Sequence, residues 1–432
     1  MALINLQSDL SRFKWPLLLF TLLLFVLVAW LNPSYQMAGF ANPAFPETDV
    51  DAQPMIERRF VSSDLDEFVH SSSITELKGG DLLSVWFAGS REGAADVNIR
   101  AARYDHGSRE WGDEFILASR ESTRNAVGKP IRKLGNPVVA LAPDDRLWLF
   151  YVSVSLGGWA GSAINAQYSY DMGVTWTAPR QLITSPFINI STLVRTAPVF
   201  HADGSIGLPV YHEFLGKFPE YLYLDSEGRI LDKFRIADGT NSLQPAVVPL
   251  DGQRAVALLR NAGRRGRVLA SITEDAGQTW TEEYAVDPWN PNSSLAAVRS
   301  HRDTLLVAQN NLVDGRFRLT LDEASFSLEQ WTLVNTLDES TDKEGDLIPL
   351  EQYAPLLRDK FLNASGRSRQ KLVDDYMTLF EARVCRHGLC DFDYEYPYII
   401  RSQDGLFHLV YSWNNSFIKH VTFNTAWLES QE

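Results

Sequence analysis

The 432-residue chain carries 54 acidic against 40 basic side chains, a formal charge of −14. That excludes a general nucleic-acid binder, and an anionic ligand requires a local cluster of arginines against this background. The length admits one large domain or two or three small ones, and aromatics at 12%, with twelve Trp, suit a β-rich core of packed hairpins.

Trp15 to Leu31 is apolar throughout apart from Pro16 and Thr21, at the short end of a membrane span. Arg12 and Lys14 precede it, while Glu47, Asp49 and Asp51 follow. The positive-inside rule then predicts a cytoplasmic segment 1–14, a retained transmembrane signal anchor 15–31 and the remainder outside a cytoplasmic membrane. The alternative is a signal peptide cleaved among the small residues Ala38 to Ala41, giving a secreted protein. Residues 32–54, with Pro33, Pro43, Pro46 and Pro54, read as an extended linker, and the globular domain is expected over 55–432.

From there strand follows strand. Asp81 to Phe87 and Val97 to Arg103 open the series, followed by Arg146 to Val152, Gly204 to Tyr211, Arg254 to Arg260, Asp303 to Gln309 and Asp404 to Tyr411. In each unit a turn precedes an apolar strand and another strand follows, the rhythm of four-stranded propeller blades. Ser169-Tyr170-Asp171-Met172-Gly173-Val174-Thr175-Trp176 has a near copy in Thr273-Glu274-Asp275-Ala276-Gly277-Gln278-Thr279-Trp280. The Asp carboxylate suits turn amides, Gly allows positive φ, and Trp packs under the turn. Weaker echoes occur at Asp105 with Gly107 and Trp111, and at Asp322 with Trp331. A hairpin motif that recurs in this way signals a repeat architecture. Helical spacing over Leu350 to Arg386 breaks the rhythm and predicts an insertion between the fifth and sixth blades. Cys385 and Cys390 are the only cysteines, and in an exported domain they would close a local disulfide. With His387 alone beside them they do not make a metal site, and no cofactor is expected.

The repeated octapeptide is the Asp-box pattern, and the chain resembles the sialidase (neuraminidase) superfamily, specifically a bacterial branch of predicted sialidases with BNR-type repeats. The resemblance runs over roughly residues 60–425 and implies an all-β, six-bladed β-propeller, at about 50 residues per blade. It also implies structural Asp boxes, a carboxylate held by arginines, a tyrosine nucleophile primed by a glutamate, and an aspartate acid/base. Tyr396, in Glu395-Tyr396-Pro397-Tyr398 ahead of Asp404-Gly405, falls at the nucleophile position. Arg260 and Arg316 resemble two carboxylate-binding arginines, with Arg318 an alternative to the latter, and Arg91 matches an additional arginine in the 89–96 loop. Guanidinium forks suit an acidic sugar.

The departures matter as much. His70 stands where the family has its first arginine, and Gln244, which cannot act as a base, stands where it has the priming glutamate. The acid is expected at Glu92 or Asp96, with Asp96 the better match to a structural aspartate. His212 and Glu213 add polar groups at another strand end. The expected function is an exo-glycosidase-like protein acting on acidic glycans. The alternatives are a lyase on uronic-acid polymers working through His70 and Tyr396, and a non-catalytic glycan-binding propeller. His70, Gln244 and Tyr396 are expected at one end of the central channel, with Arg91 and Arg260 closing the same pocket.

Overall fold

The computed structural model describes residues 5–31, 37–41, 52–62, 68–185, 189–263, 266–340, 347–365 and 373–431. It divides into two units, Met1–Met37 and Ala38–Glu432. The first unit holds one helix, Asn5–Leu31, with Pro16 inside it. Among the described residues, no helix is long and apolar enough to cross a membrane. This overturns the transmembrane helix expected at 15–31, and the membrane is not retained as a partner. The side chains described in that helix run from Lys14 to Leu27 and are exposed. The apolar run 15–31 rises only about 25 Å, against a hydrocarbon core of about 30 Å. Most of the expected linker lies outside the described residues. Ala38 to Ala41 belong to the second unit: the Phe40 amide donates to the Gly252 carbonyl at 2.7 Å, and its ring lies 5.1 Å from that of His201.

The second unit is built from six antiparallel sheets of four or five strands and one small three-stranded sheet among the described residues. Each large sheet is a hairpin succession in which consecutive strands pair. The sixth is completed by the first strand of the unit: Ile56–Phe60 pairs with Phe417–Phe423 and closes the ring non-covalently. The innermost strands are Phe68–Glu76, Lys133–Leu141, Leu193–Val194, Ser242–Pro249, Ala296–Arg299 and Tyr394–Arg401. They pack against one another around the axis, and in places cross-link directly, as where Ser73 Oγ accepts from the Val139 amide at 3.0 Å. The middle strands Leu82–Gly89, Leu147–Val154 and Phe407–Trp413 are buried along their whole length because sheets cover both faces. Trp86, Trp148 and Trp413 fill the spaces between sheets.

The two Asp boxes are closed hydrogen-bond circuits at the outer corners of the second and fourth sheets. Asp171 accepts from the Thr175 amide at 2.8 Å and its hydroxyl at 2.6 Å, while Trp176 Nε1 donates to the Gly173 carbonyl at 3.1 Å. Asp275 repeats these bonds with Thr279 at 2.8 and 2.6 Å, and Trp280 donates to Gly277 at 2.9 Å. The third box-like turn is Ser325 to Trp331, where Trp331 Nε1 donates to the Leu328 carbonyl at 2.9 Å. Asp322 is not part of it; it is buried and accepts from Gln309 at 2.9 Å and Thr320 at 2.8 Å.

Between the fifth and sixth sheets come two helices, Leu350–Ser365 and Val373–Val384. Phe361 stacks on Tyr376 at 4.2 Å, and Tyr376 on Trp413 at 5.8 Å, so the pair caps the last sheet. Lys360 and Lys419 reach Asp338 from opposite sides at 2.8 and 2.7 Å, tying the cap to both flanking sheets. The chain then forms the hairpin Cys385–Arg386 and Leu389–Asp391, closed by the Cys385–Cys390 disulfide.

Candidate active site at the mouth of the channel

Four inner strands carry the same irregularity. Pairing skips between His70 and Ser73, Gly135 and Val138, Leu243 and Ala246, and Glu395 and Tyr398, so two residues oppose one on the neighbouring strand. Such a bulge re-aims a side chain. At its first extra residue the backbone is left-handed: Ser71 (φ 55°), Asn136 (φ 46°), Gln244 (φ 49°) and Tyr396 (φ 55°). In the other two sheets Ser191 (φ 61°) and Asn292 (φ 58°) take this conformation just ahead of their shorter inner strands. None is a glycine, so each carries backbone strain that the surrounding bonds hold in place.

Those bonds form a ring across the sheets. Ser71 Oγ donates to Asn136 Oδ1 at 3.2 Å, and Asn136 Nδ2 to the Tyr211 hydroxyl at 3.1 Å. Gln244 Nε2 donates to the same hydroxyl at 3.3 Å, and Gln244 Oε1 accepts from Arg260 at 3.2 Å. Arg260 also donates to Asn292 Oδ1 at 2.8 Å and to the Tyr396 hydroxyl at 3.4 Å. Arg316 pairs with Glu395 and donates to the Asn292 carbonyl at 3.1 Å. His70 closes the circle: its ring lies 4.3 Å from that of Tyr396, and its Nδ1 lies 2.9 Å from Asn415 Oδ1 and 3.5 Å from Glu395.

Arg195, which the sequence did not single out, underlies the whole arrangement. It is buried beneath the mouth and donates to the carbonyls of Ser72 (3.1 Å), Tyr396 (2.6 Å) and Pro397 (3.1 Å). Its guanidinium also faces the rings of Tyr396 and Tyr398 at 5.2 and 5.8 Å. The bulge that presents Tyr396 is therefore pinned by a side chain from the third sheet.

The charges follow from this geometry. Burial alone pushes the Tyr396 phenol up, but Arg260 and Arg316 outweigh it and hold it below its ordinary value. Burial first, then Arg316 and Arg195, lowers His70 to about 3, so it is neutral near pH 7. Its approach to Glu395 is accordingly not an ion pair. Burial lifts the Tyr211 phenol well above its ordinary value, leaving it a neutral hydrogen-bonding hub.

His70, Gln244, Tyr396, Arg260 and Arg316 thus come together. Glu92 stands exposed on the rim, where its Oε1 accepts from Trp159 Nε1 at 3.2 Å and its charge acts on both Tyr396 and Arg316. Asp96 is turned to its own loop, accepting from the Ser90 amide at 3.1 Å and hydroxyl at 3.0 Å. Arg318 pairs outward with Glu339. His212 is engaged by Glu220 at 2.6 Å and stacks on Phe218, away from the ring. The Glu213 amide donates to Ser191 Oγ at 2.8 Å, and its carboxylate field reaches Tyr211 and Lys133. Arg91 lines a separate cavity beside the first two sheets. Among the described residues, no three His, Cys, Asp or Glu side chains are grouped to hold a metal ion.

Fold and site together define a six-bladed propeller of the sialidase type, with a tyrosine and arginines converging at one mouth. The chain belongs to the family of BNR repeat-like domains, which it matches over residues 80–409. Among solved structures it is similar to the Hadza microbial sialidase Hz136, at TM-score 0.59 and 14% identity, covering 82% of this chain and 65% of that one. It is also similar to the intramolecular trans-sialidase from Ruminococcus gnavus in complex with oseltamivir carboxylate, at TM-score 0.59 and 13% identity over 85% of this chain and 96% of that one. A protein of unknown function from Dyadobacter fermentans DSM 18053 matches at TM-score 0.60 and 12% identity, over 85% and 98% of the two chains. At these identities the likeness is one of fold. The chain spans just under two thirds of the length of the Hadza sialidase. No curated protein matches the chain.

Proposed function

We propose that this protein is a glycoside hydrolase of the sialidase type that acts on acidic glycans, with Tyr396 as nucleophile. The observation that carries the reading is the Tyr396 phenol, set at a strained bulge and made more acidic by Arg260 and Arg316. A tyrosinate suits an acidic sugar because a carboxylate nucleophile would meet a second negative charge. Arg260 is the seat for the substrate acid: its contacts in the ring are Gln244, Asn292 and Tyr396, none of them a carboxylate. In the first step Tyr396, as a phenolate whose proton has gone to solvent, bonds to the anomeric carbon as the glycosidic bond breaks, and Glu92, entering as the carboxylic acid, protonates the leaving oxygen. In the second, water attacks the same carbon, its proton returns to Glu92 and Tyr396 is released.

His70, at about 3, is too weak a base to take a proton near neutrality, so activation of the phenol falls to the guanidiniums. The same value removes the acid/base partner that an elimination mechanism would use. The Cys385–Cys390 disulfide supports an oxidising location outside the cytoplasm.

The test is turnover of a panel of acidic oligosaccharides by the full chain, with mass spectrometry of the quenched protein. Free sugar and a glycosyl adduct on Tyr396 are expected, with both lost in Tyr396→Phe at an unchanged melting temperature. Full turnover by Tyr396→Phe, or release of a 4,5-unsaturated uronate absorbing in the ultraviolet, would overturn the assignment.

A further inference from the structure

Beside the mouth lies a second concavity that the ring of contacts around Tyr396 does not use. It is a cavity of about 460 Å³ lined by Arg91, Arg120, Arg132 and Lys133 together with small residues of the 93–95 loop and Gly157. Four cations and no acidic side chain line it, on a chain whose formal charge is −14. Like charges gathered around one concavity repel, and the folded chain holds them there from three separate segments. Arg91 comes from the loop after the second strand of the first sheet, and Arg120 is the first residue of the helix Arg120–Val127. Arg132 and Lys133 stand at the entry of the second inner strand.

The cavity is joined to the mouth by Trp159. Lys133 Nζ sits 4.0 Å over its ring, while its Nε1 donates to Glu92, whose charge acts on Tyr396 and Arg316. The indole is seated on Gly135, where a β-carbon would come within 2.6 Å of the ring and displace it. Gly135 adjoins Asn136, the bulge residue that reaches Tyr211. An aromatic plane bordered by cations on one side and by the reacting tyrosine's neighbours on the other is a surface fitted to a sugar bearing anionic groups.

We infer that this cavity is a second anion subsite, so the preferred ligand is an acidic glycan with at least two anionic groups. One is seated at Arg260, and another (carboxylate, sulfate or phosphate) among Arg91, Arg120, Arg132 and Lys133. The inference rests on the acidic-glycan reading of the mouth and adds the substrate class.

The experiment is calorimetric titration of the full chain with three multiply charged probes: an α2,8-linked disialic acid, a tetragalacturonide and a heparin-derived tetrasaccharide. Sialic acid, galacturonic acid and inorganic sulfate are the singly acidic comparators. At least one multiply charged probe should bind at least tenfold more tightly than its comparator and than sulfate. R120Q/R132Q should erase that advantage, R120K/R132K should keep most of it, and thermal melts should show all three proteins folded. Equal binding of the favoured probe by wild type and R120Q/R132Q would overturn the inference, as would failure of all three probes. Sulfate binding as tightly as the glycan would make the cavity a free-anion site and overturn the glycan assignment. The two readings fail separately: Arg260→Gln without effect on the single-acid comparators would remove the seat at the mouth, while the R120Q/R132Q result still judges the cavity.

Discussion

Acid should unfold this propeller through its histidines before its paired carboxylates are protonated. Trp111 Nε1, which can only donate, bonds His420 Nδ1 at 3.2 Å. The proton of His420 must then be on Nε2, which points at His408 Nδ1 at 3.1 Å, and the proton of His408 on Nε2, which points at Ser402 Oγ at 3.1 Å. Thr422 Oγ1 lies beside the same pair, 3.3 Å from His408 Nδ1 and 3.1 Å from His420 Nε2, and an added proton on His408 Nδ1 would still set two ring donors against each other. Burial accordingly lowers His408 to about 4 and His70 to about 3, and places His420 well below its ordinary value. A base depressed in the folded state contributes full stability above its unfolded value of 6.5. That contribution is lost as pH falls from there toward the folded value. At pH 4.5 the loss for His408 is about 2.5 kcal/mol, a large share of a typical folding free energy of about 5–15 kcal/mol. Buried carboxyls oppose the trend, since burial raises Glu76, Asp322 and Asp393 and the folded state gains from protonating them. The clean measurement is therefore a difference. Urea unfolding of wild type and His408→Gln should be compared at pH 7.5 and 4.5, because the amide can keep one donor and one acceptor without titrating. Between those pH values the variant should lose about 2.5 kcal/mol less than wild type. Parallel pH dependences in the two proteins would refute the tautomer argument.

Asp275→Ala removes the acceptor for Thr279 and should lower stability by about 1–3 kcal/mol in a thermal melt, with glycan affinity unchanged. Arg195→Met leaves three carbonyls without their donor, including that of Tyr396; a destabilisation of about 3 kcal/mol and a fall in kcat are expected together. Gln244→Glu sets a carboxylate against Arg260 and discharges part of the field on Tyr396. The alkaline limb of the pH–rate profile should move to higher pH, and an unmoved limb would contradict activation by Arg260.

The Asp boxes were legible in the sequence because their chemistry is local: Asp171 bonds Thr175 and Asp275 bonds Thr279, four residues on in each case. Where the pattern loses its aspartate, the eye is drawn to the nearest one, Asp322, although the turn that seats Trp331 begins at Ser325. His70, Gln244 and Tyr396 could be placed because each sits near the start of an inner strand. Arg195 could not, since it lies just past a strand of only two residues, Leu193–Val194, and its partners are carbonyls from the first and sixth sheets. Left-handed residues are usually sought at glycines, and here Ser71, Asn136, Gln244, Asn292 and Tyr396 fill those positions with side chains that bond sideways around the ring. His212 was grouped with the site because it ends a strand, but a strand end also faces its own hairpin neighbour, and Glu220 holds it there.

One excess of positive charge accounts for the main features of the mouth. Arg195 contacts carbonyls and ring faces, Arg260 contacts amides and a phenol, and Arg316 is matched by Glu395. Three guanidiniums thus meet one carboxylate in the contacts around Tyr396. Burial first, and then these guanidiniums, keep His70 neutral, while a phenol in the same field gives up its proton more readily. In the proposed function an arriving acid would relieve the excess and draw affinity from it, but in pairing with Arg260 it would also withdraw part of the field on Tyr396. Recognition and activation therefore compete for one guanidinium. An anion held among Arg91, Arg120, Arg132 and Lys133 would largely escape that competition, because the main charges acting on the Tyr396 phenol are those of Arg260, Arg316 and Glu92. In the proposed reaction a second acidic group would then strengthen binding without weakening Tyr396 as nucleophile.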